Sequence, residues 1–401
     1  MRHRRPMLTL AFLFAGCGSQ PDLGDVTGAR GIREVIGRAY GDTLPAATAE
    51  EQARVEAGRR EFTRNRDVSS GLGPVMTGIA CSACHDSPPA IGGTNQRLET
   101  RFGRRNPDGS FDPLLAFGGP TLQDESIGTV NGISWVPETI PSSANVVARR
   151  RTIPVFGLGL VDATPDATFA SIAEWQRNHH PDLAGRPAMV RNLVTDAIAV
   201  GKFGWKASEP TLLQFAGDAF INEIGITNPL FPDENCPQGD CAALVNNPAP
   251  GLNDPDGVGL ALATAFMSFL GPPPRGQAPS RGAEVFDRIG CAVCHLQTLV
   301  TGPSHSAALD RVAYHPYSDF LLHDMGMLGD GIDQGDAKGT EMRTAPLWGV
   351  SIQQRLLHDG RALTLAEAIL AHDGQGKAAR DRFAALPDPQ RAGLLLFLQA
   401  L

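Results

Sequence analysis

Cys81-Ser82-Ala83-Cys84-His85 returns as Cys291-Ala292-Val293-Cys294-His295, and the reading of this repeated string decides the fold. C-x-x-C-H is the attachment signature of c-type haem: the thiols add across the vinyl groups of the porphyrin, and the adjacent histidine binds the iron. A zinc knuckle or a thioredoxin-like C-x-x-C would leave both histidines unexplained. Two covalently bound haems c are therefore expected, with Cys81, Cys84, Cys291 and Cys294 as attachment points and His85 and His295 as proximal ligands.

Working outward, the surroundings of the string also repeat. Gly58-Arg59-Arg60-Glu61-Phe62 precedes the first copy and Gly282-Ala283-Glu284-Val285-Phe286 the second, each with the spacing of a short helix leading into a haem pocket. Downstream, Arg151-Thr152-Ile153-Pro154 answers Arg343-Thr344-Ala345-Pro346, and apolar helices are predicted over 260–270 and 394–401. Four features in one order indicate internal duplication. Gly271-Pro272-Pro273-Pro274 must end the first closing helix, since proline has no amide donor and its ring blocks the preceding turn. The expectation is a mainly α protein of two tandem cytochrome c-like lobes, residues 46–271 and 275–401. The first lobe is enlarged by long loops, among them a Gly-, Pro- and Asn-rich stretch from about 86 to 150 that forms loops or a hairpin over the first haem.

With 401 residues, 42% of them apolar, the chain is long enough for real cores and is not generally disordered. A net charge of −8 argues against nucleic acid, which needs a concentrated basic face, and redox partners are expected instead. Arg2-His3-Arg4-Arg5, a short apolar run and Phe14-Ala15-Gly16-Cys17 read as an export signal, residues 1–16, ending in a lipobox whose Cys17 is acylated; Phe14 departs from the usual leucine. Residues 17–45 read as a tether. The expected location is the periplasm, by a lipid anchor in the outer membrane, and no other run of about eighteen apolar residues offers a membrane span. Of the seven cysteines, Cys236 and Cys241 remain; they flank Pro-Gln-Gly-Asp, a turn that can close a small disulfide in an oxidising compartment, the alternative being two free thiols in a loop.

Further motifs carry a family resemblance: Gly71-Leu72-Gly73-Pro74, Phe156-Gly157-Leu158-Gly159-Leu160, Phe203-Gly204-Trp205-Lys206, Gly225-Ile226-Thr227-Asn228-Pro229, Leu322-His323-Asp324-Met325-Gly326 and Leu357-His358-Asp359-Gly360-Arg361. From about residue 55 to the end the chain resembles the bacterial di-haem oxidoreductase family, itself similar to di-haem cytochrome c peroxidases and to the di-haem enzymes that mature methylamine dehydrogenase. The resemblance implies an exported di-haem oxidoreductase that takes electrons from a small cytochrome c or cupredoxin at the C-terminal haem and reduces hydrogen peroxide at the N-terminal one. A di-haem enzyme oxidising a protein or organic substrate, or a non-catalytic electron carrier, are the alternatives. The resemblance also admits calcium between the lobes, for which Asp254-Pro255-Asp256-Gly257 is too short a cue to assign a site.

The resemblance places the sixth ligand of the C-terminal haem fourteen residues after His358, at His372, where those peroxidases carry methionine; Met325 and Met327 are rivals, and His323 and His358 are read as structural. Where family members show a distal glutamate this chain has Asp162, the candidate acid or base, with Gln123 and Asp166 behind it. Aligning Pro154 on Pro346 without gaps sets His180 opposite His372, so that His179 or His180 would close the first haem, although an exposed His-His pair is favoured. Arg151 and Arg343 are candidates to clamp haem propionates, because guanidinium matches a carboxylate in two-pronged fashion. Trp205 and Trp348 are each either an electron bridge or core packing.

Overall fold

The computed structural model describes residues 32–86, 89–277 and 279–401, so the signal segment, Cys17 and the first part of the tether lie outside the described residues. Nine α-helices are present among them: α1 (Ala49–Phe62), α2 (Leu158–Asp162), α3 (Asp166–His179), α4 (Leu212–Asn222), α5 (Val258–Phe269), α6 (Ser280–Arg288), α7 (Leu365–Leu370), α8 (Lys377–Ala384) and α9 (Asp388–Gln399). Helix, with its 3-10 turns, amounts to 34% of the described residues and strand to 16%, so the mainly α expectation is corrected to a mixed architecture in which short strands hold the long connections.

Each C-x-x-C-H string is led by a helix and backed by a second one. Thr48 and Glu51 form a reciprocal cap on α1, satisfying amides that a helix start leaves free. α1 buries Val55, Gly58 and Phe62, one face at helical spacing, against α5. α6 buries Gly282, Val285 and Phe286 against α9. Only glycine permits these crossings: a Cβ on Gly58 would stand 2.2 Å from the Leu262 carbonyl oxygen, and one on Gly282 would stand 2.3 Å from that of Gly393. Four residues on, Phe62 reaches His85 at 5.9 Å between ring centroids and Phe286 reaches His295 at 6.4 Å.

The long insertion is built around two antiparallel strands, Leu98–Arg105 and Val146–Arg151, paired from Leu98 opposite Arg151 to Gly103 opposite Val146. Cys236 and Cys241 are joined by a disulfide with their Cα atoms 4.5 Å apart. Inside its loop the Gln238 amide donates to the Phe117 and Thr139 carbonyls, docking the staple on the same insertion.

Separate lobes would need separate cores, and the packing departs from that expectation. The larger core joins Phe62, Phe156, Phe203 and Phe266 from the first half to Leu299, Tyr314, Phe320 and Trp348 from the second; a smaller one holds Val285, Phe286, Phe383, Leu394 and Phe397. The described end of the expected tether also packs on the body: Arg33–Glu34 pairs in parallel with Val312–Tyr314, and Val35 and Leu44 are buried. No helix among the described residues is long and apolar enough to cross a membrane.

Candidate haem sites

Two cavities, one larger than the other, lie against the seam between the halves. The larger is walled by Cys291, Cys294 and His295, the smaller by Cys84 and His85. In both strings the cysteines sit on one 3-10 turn that brings the histidine amide back onto the first cysteine carbonyl, at 2.9 Å in each case; Cys291, Cys294 and His295 thereby face one space and Cys84 and His85 the other, with Cys81 packed against the core beside it. All four thiols are free of disulfides, and burial pushes Cys81, Cys84 and Cys291 up to about 12. Burial holds His85 and His295 down near 4, which keeps both rings neutral and able to offer a lone pair. His295 Nδ1 bonds the Tyr317 carbonyl at 3.0 Å, which leaves Nε2 for a ligand. His85 Nδ1 is buried without a hydrogen-bond partner among the described residues.

The wall between the cavities is common to both. Arg151, Trp205, Arg343 and Pro346 line each of them. Arg151 donates from Nε to the Leu357 carbonyl (3.2 Å) and from Nη1 to that of Thr152 (3.2 Å); Arg343 does the same with Gly204 (2.7 Å) and Thr344 (3.1 Å). Both are nearly inaccessible, burial drags both down to about 10, and neither meets a carboxylate among the described residues. Two buried guanidinium groups that pair with no carboxylate among the described residues are costly unless a bound group supplies one. Haem fits: its propionates would answer the arginines, its ring the apolar walls, its vinyl groups the thiols and its iron the imidazoles.

These arginines also cross-brace the halves. The Arg151 amide donates to the His358 carbonyl at 2.6 Å, and the Arg343 amide to that of Trp205 at 2.9 Å. The braced turns run in step, residue for residue. Gly204 and Leu357 are both left-handed (φ +77° and +69°), as are Ala207 and Gly360; Phe203 bridges Glu209 as Leu356 bridges Ala362; and Thr211 caps α4 as Thr364 caps α7. This further stretch of duplication escaped sequence reading, although the two capping threonines signal it.

Counted along that register, the position of His372 falls on Ala219 in α4. The ungapped alignment that set His180 opposite His372 is thereby corrected: α3 and the hairpin Ala188–Arg191/Ile198–Gly201 intervene only in the first half. His179 bonds the Trp175 carbonyl at 2.9 Å and stacks on Trp175, and neither it nor His180 reaches a cavity.

The cavities consequently differ. The C-terminal one is walled by His295, His323, His358, His372, Met325 and Met342. His372 directs Nδ1 to the Ala368 carbonyl at 2.8 Å, leaving Nε2 free. His323 has both nitrogens engaged, by Cys294 Sγ at 3.6 Å and Asp319 Oδ2 at 2.9 Å, so it is a brace rather than a ligand. Met327 is 89% exposed and is removed from the candidates. The N-terminal cavity holds one histidine, His85, and no methionine among its lining residues.

The catalytic candidates Asp162 and Gln123 lie outside both linings. Asp162 Oδ1 accepts the Leu212 amide at 3.0 Å at the start of α4, a helix-end role that turns the carboxylate away. Extended backbone points Leu122 and Asp124 into the cavity and Gln123 the other way, where its side chain meets the Asn222 carbonyl. Asp166 accepts the Val200 amide and pairs with Lys202. The carboxylates that do line the N-terminal cavity, missed from sequence, are Glu99, Asp124, Asp218 and Glu223. Trp205 belongs to the shared wall; Trp348 packs against Tyr314 in the core and lines neither cavity. Asp254, part of the calcium cue, spends both oxygens on the amides of Gly259 and Leu260 at the start of α5.

Among solved structures the chain is similar to hydrazine synthase of Kuenenia stuttgartiensis, at 15% identity over 100% of this chain and 99% of that one, with a TM-score of 0.40. It is similar also to the diheme peroxidase BthA of Burkholderia thailandensis (14%, 92% and 94%, TM-score 0.39) and to a MauG-like protein associated with microbial copper homeostasis (14%, 91% and 94%, TM-score 0.38). No curated protein matches the chain. The sequence pattern of the family described as "Di-haem oxidoreductase, putative peroxidase" matches residues 123–243 and 273–401, more than half of the chain. On that match the chain belongs to the di-haem oxidoreductase family and is an oxidoreductase whose cofactors are haems.

Proposed function

We propose that the chain is an exported di-haem c-type enzyme that reduces hydrogen peroxide at the N-terminal cavity with electrons relayed through the C-terminal one. Cys81 and Cys84, and Cys291 and Cys294, would carry the two haems covalently, with His85 and His295 as proximal ligands. His372 would close the C-terminal site. Each half is read as a cytochrome c-like lobe, the two fused across a shared core. Electrons would come one at a time from a small cytochrome c or cupredoxin, with the protein held at the periplasmic face of the outer membrane through Cys17.

When bound, the haems supply peroxide binding at an open iron and one-electron storage. The chain's own part is to hold and to exclude. His85 and His295 are kept neutral in apolar surroundings, Arg151 and Arg343 would hold the propionates, and Trp205 fills the wall between the sites. The observation that carries the reading is the difference in ligand supply: six imidazole or thioether side chains around one cavity, a single imidazole on the other. An open site is what a peroxide reductase requires and an electron carrier does not.

The deciding experiment is spectroscopy of the partly reduced holoprotein, followed by peroxide addition. A five-coordinate high-spin haem beside a low-spin one, with consumption of peroxide, is the expected outcome. Two six-coordinate haems in every redox state would establish the carrier.

A further inference from the structure

In the C-terminal half, α7 and the segment just beyond its end present Ala368, Ile369 and His372 to the cavity. Its counterpart α4 and the residue that caps it present Phe215, Asp218 and Glu223 to the N-terminal one. The corresponding stretch thus supplies a histidine on one side and acids on the other, Asp218 one position before the counterpart of His372 and Glu223 four after it. The Glu223 carboxyl makes no hydrogen bond or ion pair with any described residue, while its backbone carbonyl is anchored by the amides of Thr77 (2.8 Å) and Gly78 (3.0 Å). Asp218 is held by the Asn222 amide at 2.8 Å. Glu99, with 24% of its side chain exposed, and Asp124, with 51%, continue the row of carboxylates towards solvent.

We propose that Glu223 is the proton donor to the departing oxygen of peroxide in the N-terminal cavity, with Asp218 as the second acid and Glu99 and Asp124 as the route of resupply. This rests on the peroxide-reducing reading above. Reduction of hydrogen peroxide to two waters breaks the O–O bond and consumes two electrons and two protons. The electrons come from the one-electron donor protein. Glu223 gives its proton to the oxygen that leaves, Asp218 passes on the second, and both carboxylates regain protons from solvent. An acid for this task must be protonated at working pH yet able to let go.

The surroundings provide that. Burial pushes Glu223 up to about 8, the carboxylates of Glu99 and Asp218 adding to the rise and the guanidinium groups of Arg101 and Arg97 opposing it. Asp218 is raised too, by burial first and then by Glu99, against Arg101. The thiols of Cys81 and Cys84 lie close enough to feel the Glu223 charge and become uncharged thioethers once haem is attached.

The test uses the full-length di-haem protein and the variants Glu223→Gln, Glu223→Asp and Asp218→Asn, each checked for two haems per chain. Peroxide kcat/KM in the wild type should fall above about pH 8 as Glu223 loses its proton. Glu223→Gln should lower kcat/KM by about 100-fold or more and abolish that alkaline limb, with Glu223→Asp recovering part of it. Infrared difference spectra without peroxide should show a protonated-carboxyl band that titrates along the same limb and is missing in Glu223→Gln. Wild-type turnover and an unchanged alkaline limb in Glu223→Gln would overturn the assignment alone. A wild type inert to peroxide that still shows the titrating band would instead overturn the peroxide-reducing reading, and the donor role with it.

Discussion

Trp205, in the wall that the two cavities share, and His358, in the lining of the C-terminal one, occupy equivalent places in the two halves and stand edge to face, 6.2 Å between ring centroids. Each has its carbonyl held by an arginine amide from the opposite half. The Trp205 indole N–H donates to the Arg151 carbonyl at 2.8 Å, which fixes the ring between the sites. Trp205→Phe should slow electron passage from the C-terminal to the N-terminal haem in a rapid-reduction experiment, with both haem spectra preserved. An unaltered rate would make the indole a packing residue only.

Among the described residues Arg151 and Arg343 pair with no carboxylate, so a propionate would be their natural counter-ion. Arg343→Leu leaves that propionate buried and unpaired, and should lower the unfolding free energy of the holoprotein by about 3–5 kcal/mol in denaturant titrations. Arg151→Leu should act alike. Little change for either would show the propionates to be held elsewhere.

The helix crossings make a sharper contrast. Gly58→Ala and Gly282→Ala drive a methyl group into a carbonyl oxygen of the facing helix, and each should cost about 1–3 kcal/mol or more. Gly393→Ala, on the other side of the second crossing, meets nothing within 4 Å and lies inside α9. It should stabilise by up to about 1 kcal/mol, because alanine loses less chain entropy in a helix than glycine. Thermal melts of the three variants compare these directly.

His372→Ala should convert the C-terminal haem alone from low spin and leave the N-terminal spectrum untouched. Met327→Ala, on an exposed turn, should change neither spectrum and shift stability by no more than about 0.5 kcal/mol. Retention of the low-spin signal in His372→Ala would turn attention to Met325, Met342 and His358, which share that wall.

Asp162 supports the start of α4 rather than the chemistry. Asp162→Ala should therefore cost about 1 kcal/mol of stability, the usual loss for an unsatisfied helix-start amide, while peroxide turnover stays at the wild-type level. A collapse of turnover without loss of stability would restore Asp162 to the mechanism.

Attachment chemistry of this kind needs only local spacing, which is why the two C-x-x-C-H strings and the leading and closing helices were legible from residues alone. A thiol pair must be spaced to meet two vinyl groups, and a glycine at a close helix crossing must fall one turn from the phenylalanine that reaches the histidine. Even the paired Arg-Thr-x-Pro turns carry this local logic. The candidate acid behaved otherwise. Glu223 is distinguished by what surrounds it: a capping position, an insertion folded over the cavity, and Glu99 and Asp218 brought near from other elements. Asp162, in a stronger motif, had its carboxylate drawn away by a single backbone amide. The joining of two predicted lobes into one core, and the cross-bracing that makes Trp205 the counterpart of His358, likewise depend on contacts between residues far apart in the chain. Local spacing marked where haems would attach; long-range packing decided which cavity is lined by bases and which by acids, since burial and charge at a site are sums over neighbours that no short window of sequence contains.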